Sequence, residues 1–140
     1  MLAHYAAYQG AIAAANAAHP QKLEKCGNLT VPSCIFTDPE IGSVGLTETA
    51  ARENGLSPVV AKFDFQASGM ARVMDSAEGF IKIVYDKNSE IILGSVIVGP
   101  LATELIAILT LAITHQLKIS QIKQTIFAHP SLSESIHEAV

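Results

Sequence analysis

Apolar residues alternate or run together in a pattern that divides the chain into short strands and helices. Val59, Ala61, Phe63 and Phe65 recur at every second position, which predicts a strand over 59–65 with one buried side. Ile81 and Ile83 flank Lys82 in the same way and predict a half-exposed antiparallel strand from Gly79 to Tyr85. The polar turn Asp86-Lys87-Asn88-Ser89 leads into Ile91 to Val98, a strand with almost no polar side. That strand is expected to be covered on both faces. Upstream, Cys34 to Thr37 predicts a short strand stopped by Asp38-Pro39, and Ile41 to Leu46 a second one after a tight turn.

The remaining segments read as helices and loops. Tyr5 to Ala18 is dense in alanine, lacks proline and holds one glycine, so it predicts a helix ended by Pro20. Gln21 to Thr30, with Gly27 and Asn28, is a polar loop. Thr47 is an N-cap for a short helix that ends at Gly55. Gln66 to Met74 reads as a turn with a short helical stretch. Leu101 to Leu117 is helical and apolar most of the way round, where a surface helix normally shows one apolar stripe. Either it is wholly buried in one chain, or one side meets the sheet and another meets a second chain. The small size of the domain favours the second arrangement. Short helices at Ser120–Thr125 and Ser131–Ala139 close the chain. Antiparallel strands followed by clustered helices give an α+β fold: a single, mostly antiparallel sheet with helices packed on it.

Composition narrows the function. One domain of ordinary size fits 140 residues, and 49% apolar residues exclude a disordered chain. Nine basic against thirteen acidic residues, with no basic run, argue against nucleic acid as a partner. No stretch reaches the roughly 18 unbroken apolar residues of a membrane span, and no basic n-region marks a signal peptide. Cys26 and Cys34 are too few for a disulfide framework and point to a reducing compartment, where they are either a redox pair or, for Cys34, a buried thiol. No Gly-x-Gly-x-x-Gly follows a strand, so there is no dinucleotide fingerprint. His4, His19, His115, His129 and His137 share no ligand spacing with a cysteine or acid, and no metal is expected.

The strongest chemical signal is His129-Pro130-Ser131-Leu132-Ser133-Glu134. Ser131 and Glu134 have capping-box spacing, so Glu134 could simply reach back to a backbone N–H. Helical side chains also lean toward the N-terminus, which aims Glu134 at the segment carrying His129. A carboxylate on one imidazole nitrogen fixes the tautomer and frees the other nitrogen for proton transfer. Both readings stand on spacing alone.

The segments VPSCIFTDPEIGSVGLTE and GFIKIVYDKNSEIILGSVIVG, the terminal HPSLSE and the opening MLAHYAAYQG occur in an order that is specific in combination. Together they resemble the C-terminal dimerisation domain of the dihydrolipoamide dehydrogenases, within the flavin-dependent pyridine nucleotide–disulfide oxidoreductases. The resemblance implies residues 1–20 as a helix following a flavin-binding domain and 21–140 as the dimerisation domain. It implies that Met1, Leu2, Ala3 and His4 touch the flavin ring, with a helix N-terminus aimed at its pyrimidine end. In an isolated chain His4 would be an exposed first-turn residue. His129 would exchange protons with dihydrolipoamide and the active-site thiols of the other subunit, with Glu134 as its orienting partner. FAD and NAD are implied for the full-length parent, with neither bound to this fragment. The implied partners are a second copy and a lipoyl-bearing protein of a 2-oxoacid dehydrogenase or glycine cleavage complex. The implied compartment is the cytoplasm, or the mitochondrial matrix in a eukaryote. Met70 stands where the family usually has a basic residue, Phe127 where a second His is common, and Ser131 where Thr is usual. The alternatives are the equivalent domain of a glutathione-reductase-like enzyme, or a stand-alone homodimeric module without catalysis.

Overall fold

A computed structural model describes residues 2–27 and 29–140. The expectations placed on Met1 as a flavin contact and on Asn28 as part of a loop lie outside those residues. Five strands, β1 (Ser33–Ile35), β2 (Glu40–Gly45), β3 (Pro58–Asp64), β4 (Phe80–Asp86) and β5 (Ile92–Gly99), form one antiparallel sheet in the order β1-β2-β5-β4-β3. Six helices accompany it: α1 (Ala3–Ala18), α2 (Glu48–Glu53), α3 (Gly69–Val73), α4 (Ala102–Thr114), α5 (Ile119–Gln124) and α6 (Glu134–Glu138). The α+β class with one antiparallel sheet is as the sequence predicts.

Pairing register sorts the sheet residues into two faces, because side chains alternate along each strand. Cys34, Gly42, Ile97, Ile81 and Phe63 form one row of the inner face, and Val44, Ser95, Ile83 and Ala61 the next. α4 lies across β2 and β5 on this face and buries Ala102, Leu105, Ile106, Leu109 and Ala112. Gly42 allows the close approach, since a Cβ there would sit 2.6 Å from the carbonyl oxygen of Ala102. A bulge interrupts β5: Val84 pairs with Gly94 and Tyr85 with Ile92, which leaves Leu93 as the extra residue. The bulge returns Ile92 to the inner face beside Tyr85 and Ile83, where it is fully buried.

The expectation that β5 is covered on both faces needs correction. Val96 and Val98 belong to outer-face rows with Ser33, Ser43 and Lys82, and with Ile35, Ile41 and Phe80, and they remain half-exposed. On that face α2 contributes an ion pair, Glu48 Oε2 to Lys82 Nζ at 2.6 Å. The expected N-cap of α2 is present, with Thr47 Oγ1 accepting from Ala50 N–H at 3.1 Å. The N-cap residue of α4, Leu101, is left-handed at φ +52° and has no side chain that can accept a hydrogen bond. Glu40 supplies the missing acceptor, taking the N–H and the hydroxyl of Thr103 at 3.0 and 2.7 Å.

Several boundaries differ from the pattern. α4 stops at Thr114 rather than Leu117, because Gln116 turns left-handed at φ +53° and the Leu117 N–H closes back on the Ala112 carbonyl at 2.8 Å. β1 ends at Ile35, leaving Phe36 81% exposed ahead of a cis Asp38–Pro39 bond. The last helix begins at Glu134, not Ser131, because the preceding residues form a hydrogen-bonded turn. α4 is not wholly buried: Leu111 is 60% exposed on the side away from the sheet. Among the described residues, no helix is long and apolar enough to cross a membrane.

Candidate active-site half

At the C-terminal corner the chain leaves α5 at Thr125 and runs through Ile126, Phe127 and Ala128 to His129, which joins Pro130 by a cis peptide. Ser131 then opens the turn into α6. Its Oγ accepts the N–H of Glu134 at 3.2 Å, while Glu134 Oε1 accepts the N–H of Ser131 at 3.1 Å. That is the reciprocal bonding of a capping box. The Ser131 hydroxyl also donates to the Ala128 carbonyl at 2.6 Å, tying the turn to the segment before it. Leu132, Ser135 and Ile136 are buried and seat the helix on the core.

The second oxygen of Glu134, Oε2, lies 2.7 Å from Nδ1 of His129. The two readings left open by the spacing are therefore not alternatives. One carboxylate caps the turn with one oxygen and holds the imidazole with the other. A carboxylate oxygen can only accept, so Nδ1 carries the proton and the neutral ring presents the lone pair of Nε2. The imidazole is 82% exposed whereas the Glu134 side chain is only 20% exposed. The hydrogen bond from His129, and then that from the Ser131 N–H, hold the Glu134 carboxyl below the usual carboxylate range. It is therefore ionised at neutral pH and stabilises positive charge on the ring. This arrangement can take a proton at an exposed nitrogen and return it.

Beside the pair lies a depression of about 300 Å³ lined by Lys123, Phe127, Glu134 and His137 among others. Ile126 stands at its rim, 97% exposed. The rings of Phe127 and His137 pack with centroids 6.2 Å apart and planes at 53°. Spacing along the sequence misses this pairing; two aromatic rings bracketing the His–Glu segment were the available signal.

Leu2, Ala3 and His4 occupy a different place, the start of α1. Leu2 is an extended N-cap residue whose side chain makes no cap bond, and the first turn holds no acid. His4 is exposed, as expected for the isolated chain, yet its Nε2 is bonded to the Pro32 carbonyl at 2.8 Å. The grooves at His4 are lined by Tyr5, Tyr8, Pro32, Cys34 and α4 residues, and share none with the depression at His129. Cys26 and Cys34 are free thiols. Burial, then the charges of Glu40 and Glu104, push the Cys34 thiol up, which favours the thiol over the nucleophilic thiolate. Among the described residues no three His, Cys, Asp or Glu side chains are placed to hold a metal.

Comparison with known proteins adds a lineage to this geometry. Residues 31–140 match the family described as pyridine nucleotide-disulphide oxidoreductase, dimerisation domain. The whole chain is 44% identical over 140 residues to a dihydrolipoyl dehydrogenase of Haloferax volcanii, an alignment that covers 99% of this chain and 29% of that protein. A dihydrolipoyl dehydrogenase of Thermus scotoductus is 45% identical over 139 residues, covering 99% and 30%. The chain thus spans less than a third of the length of these relatives. Among solved structures, the HOCl-induced flavoprotein disulfide reductase RclA from Escherichia coli superposes with a TM-score of 0.83 at 28% identity, covering 90% of this chain and 29% of that one. LpdA from Mycobacterium tuberculosis superposes with a TM-score of 0.78 at 28% identity, covering 90% and 28%.

Proposed function

Because this chain belongs to the dimerisation-domain family of the pyridine nucleotide-disulphide oxidoreductases, we propose that it is the dimerisation domain of a dihydrolipoyl dehydrogenase and carries the proton-transfer half of that enzyme's site. The observation that carries the reading is the exposed His129 ring held at Nδ1 by the sheltered Glu134 carboxylate. In the assembled enzyme Nε2 of His129 accepts a proton from a dihydrolipoamide thiol, and the thiolate so formed is the nucleophile toward the active-site disulfide. Glu134 offsets the charge that the ring gains. Since the His129 ring is 82% exposed, a second copy is the natural owner of the disulfide it serves, and the enzyme works as a homodimer. The lipoyl-bearing protein of a 2-oxoacid dehydrogenase or glycine cleavage complex supplies the dithiol, in a reducing compartment such as the cytoplasm or a mitochondrial matrix.

The start of α1 suits a flavin edge: its first-turn N–H groups have no side-chain cap and no neighbouring acid, so they can face an electron-rich ring. Met1, Leu2, Ala3 and His4 would form that contact, and FAD would supply the path for electrons between thiol and NAD. NAD would bind in another domain of the parent.

The test is a chimera in which this chain replaces the matching segment of the Haloferax volcanii enzyme. His129→Gln should lower lipoamide-dependent turnover by about 10²-fold or more, while flavin-to-dye electron transfer that bypasses the disulfide is spared. Wild-type lipoamide turnover in a folded, dimeric His129→Gln chimera would refute the assignment. The isolated 140-residue chain is expected to be colourless and inactive; near-stoichiometric flavin absorbance in a purified sample would count against the division of labour.

A further inference from the structure

The acid–base reading requires that His129 stay on Glu134, and an exposed hydrogen bond faces competition from water. Of the residues that lead from α5 to Pro130, Ile126, Ala128 and His129 are exposed. Phe127 alone among them turns inward, half-buried against the core. Its ring meets His137, which sits one turn beyond Glu134 on the same face of α6. Nδ1 of His137 is buried and has no hydrogen-bond partner among the described residues. No hydrogen bond at that nitrogen orients the ring, and the Phe127 ring packs against it.

Resting on the acid–base reading and deepening it, we propose that Phe127 and His137 are positioning residues, a ring-on-ring clamp that fixes the loop carrying His129 to the helix carrying Glu134. Offset or tilted aromatic contacts of this kind add to area burial and restrict relative motion. The clamp reaches α6 three residues past the carboxylate. It therefore adds a side-chain restraint on the spacing between imidazole and carboxylate, beyond the bond from the Ser131 N–H that holds Glu134 Oε1. A displacement of about 1 Å in such a pair is enough to cost a large part of its efficiency. Phe127 is in this view a working part of the site, although it never touches a reactant.

The tautomer of His129 reports the clamp directly. In the intact chain the ring should be held in the Nδ1–H form, read from ring ¹⁵N shifts through the carbon-bound protons at a pH where the imidazole is neutral. Phe127→Ala and His137→Ala should lose that signature and drift toward the Nε2–H form that an unpartnered imidazole favours. His137→Phe keeps a ring and discards the nitrogens, so it should retain the signature. His137 is only half-buried, so its variants keep the test meaningful if Phe127→Ala fails to fold. An intact Nδ1–H signature in folded His137→Ala would overturn the proposal, as would a loss in His137→Phe equal to that in His137→Ala. A wild-type ring already in the Nε2–H form would overturn it too. The same variants in the chimera separate the two readings. Signature lost with turnover unchanged refutes the catalytic role of His129 and leaves the clamp standing; turnover lost with the signature intact refutes the clamp.

Discussion

Ile81, Ile83, Ile97 and Leu109 meet between the sheet and α4 with no exposed surface, whereas His129 stands 82% exposed at the C-terminal corner. The first group is held by apolar burial, which is strong in sum and indifferent to direction. Ser95, a buried hydroxyl on the same sheet face, is satisfied by donating to the Lys82 carbonyl at 2.8 Å. The corner depends on hydrogen bonds of 2.6 to 3.2 Å among Ala128, His129, Ser131 and Glu134. These are individually weak but fix direction. One region therefore determines whether the domain exists, and the other determines which atom it presents.

The largest expected effect lies at the centre. Leu109→Ala should cost about 2–5 kcal/mol of stability, measured by urea unfolding, without altering the His129 tautomer below the transition. A corner that changes as soon as the centre is weakened would erase the distinction. Next comes Glu134→Gln in the chimera: turnover should fall on the order of tenfold, less than for His129→Gln, while the unfolding midpoint moves little.

Acid should separate the regions in the native chain. The carboxyls of Glu134, Glu40, Glu48 and Asp86 all lie below their ordinary values. His129 and the Ser131 N–H hold Glu134 there, Thr103 holds Glu40, Lys82 holds Glu48, and Ser89 with the Ser57 and Asn88 N–H groups holds Asp86. A lowered folded-state value contributes stability that is complete above the unfolded value and is lost as pH falls through the folded one. Hydrogen exchange followed down through the carboxylate range should therefore show α6 and the turn at 86–89 losing protection before Ile81, Ile83 and Ile97. Simultaneous loss would mean the corner has no independent stability. The smallest change in fold stability is expected for Leu111→Lys, within about 0.5 kcal/mol. Light scattering should nonetheless show a loss of self-association, since Leu111 faces away from the sheet and is 60% exposed. An unchanged dimer would place the contact elsewhere.

Much of the centre was legible because its signals are local. The alternation of Val59, Ala61 and Phe63 marked the inner face of β3, and the polar run after Tyr85 marked the β4–β5 turn. The bulge at Leu93 was not legible, because a shift in pairing depends on two strands and a run of apolar residues conceals it. The same holds for the early stop of α4, decided by a left-handed Gln116 in a run that carries no glycine or proline to mark the end. At the corner, the spacing of Ser131 and Glu134 announced a cap and the lean of a helical side chain announced the imidazole. What spacing could not reveal was that the two claims fall on different oxygens. The Phe127–His137 contact escaped because it joins residues on separate elements.

The division of labour between the two Glu134 oxygens also limits what can replace that residue. An amide of the same length has one acceptor and one donor in place of two acceptors. If its oxygen stays with the Ser131 N–H, its NH₂ faces Nδ1 of His129, which must then give up its proton. The proton moves to Nε2, and the ring arrives at a thiol as a donor when an acceptor is needed. If the amide turns the other way, the imidazole keeps its form and the turn loses an acceptor. Aspartate, one methylene shorter, has less reach for spanning both partners. Position 134 is therefore a point at which sequence drift cannot proceed by small steps: every near neighbour of glutamate inverts the ring, opens the turn or shortens the reach.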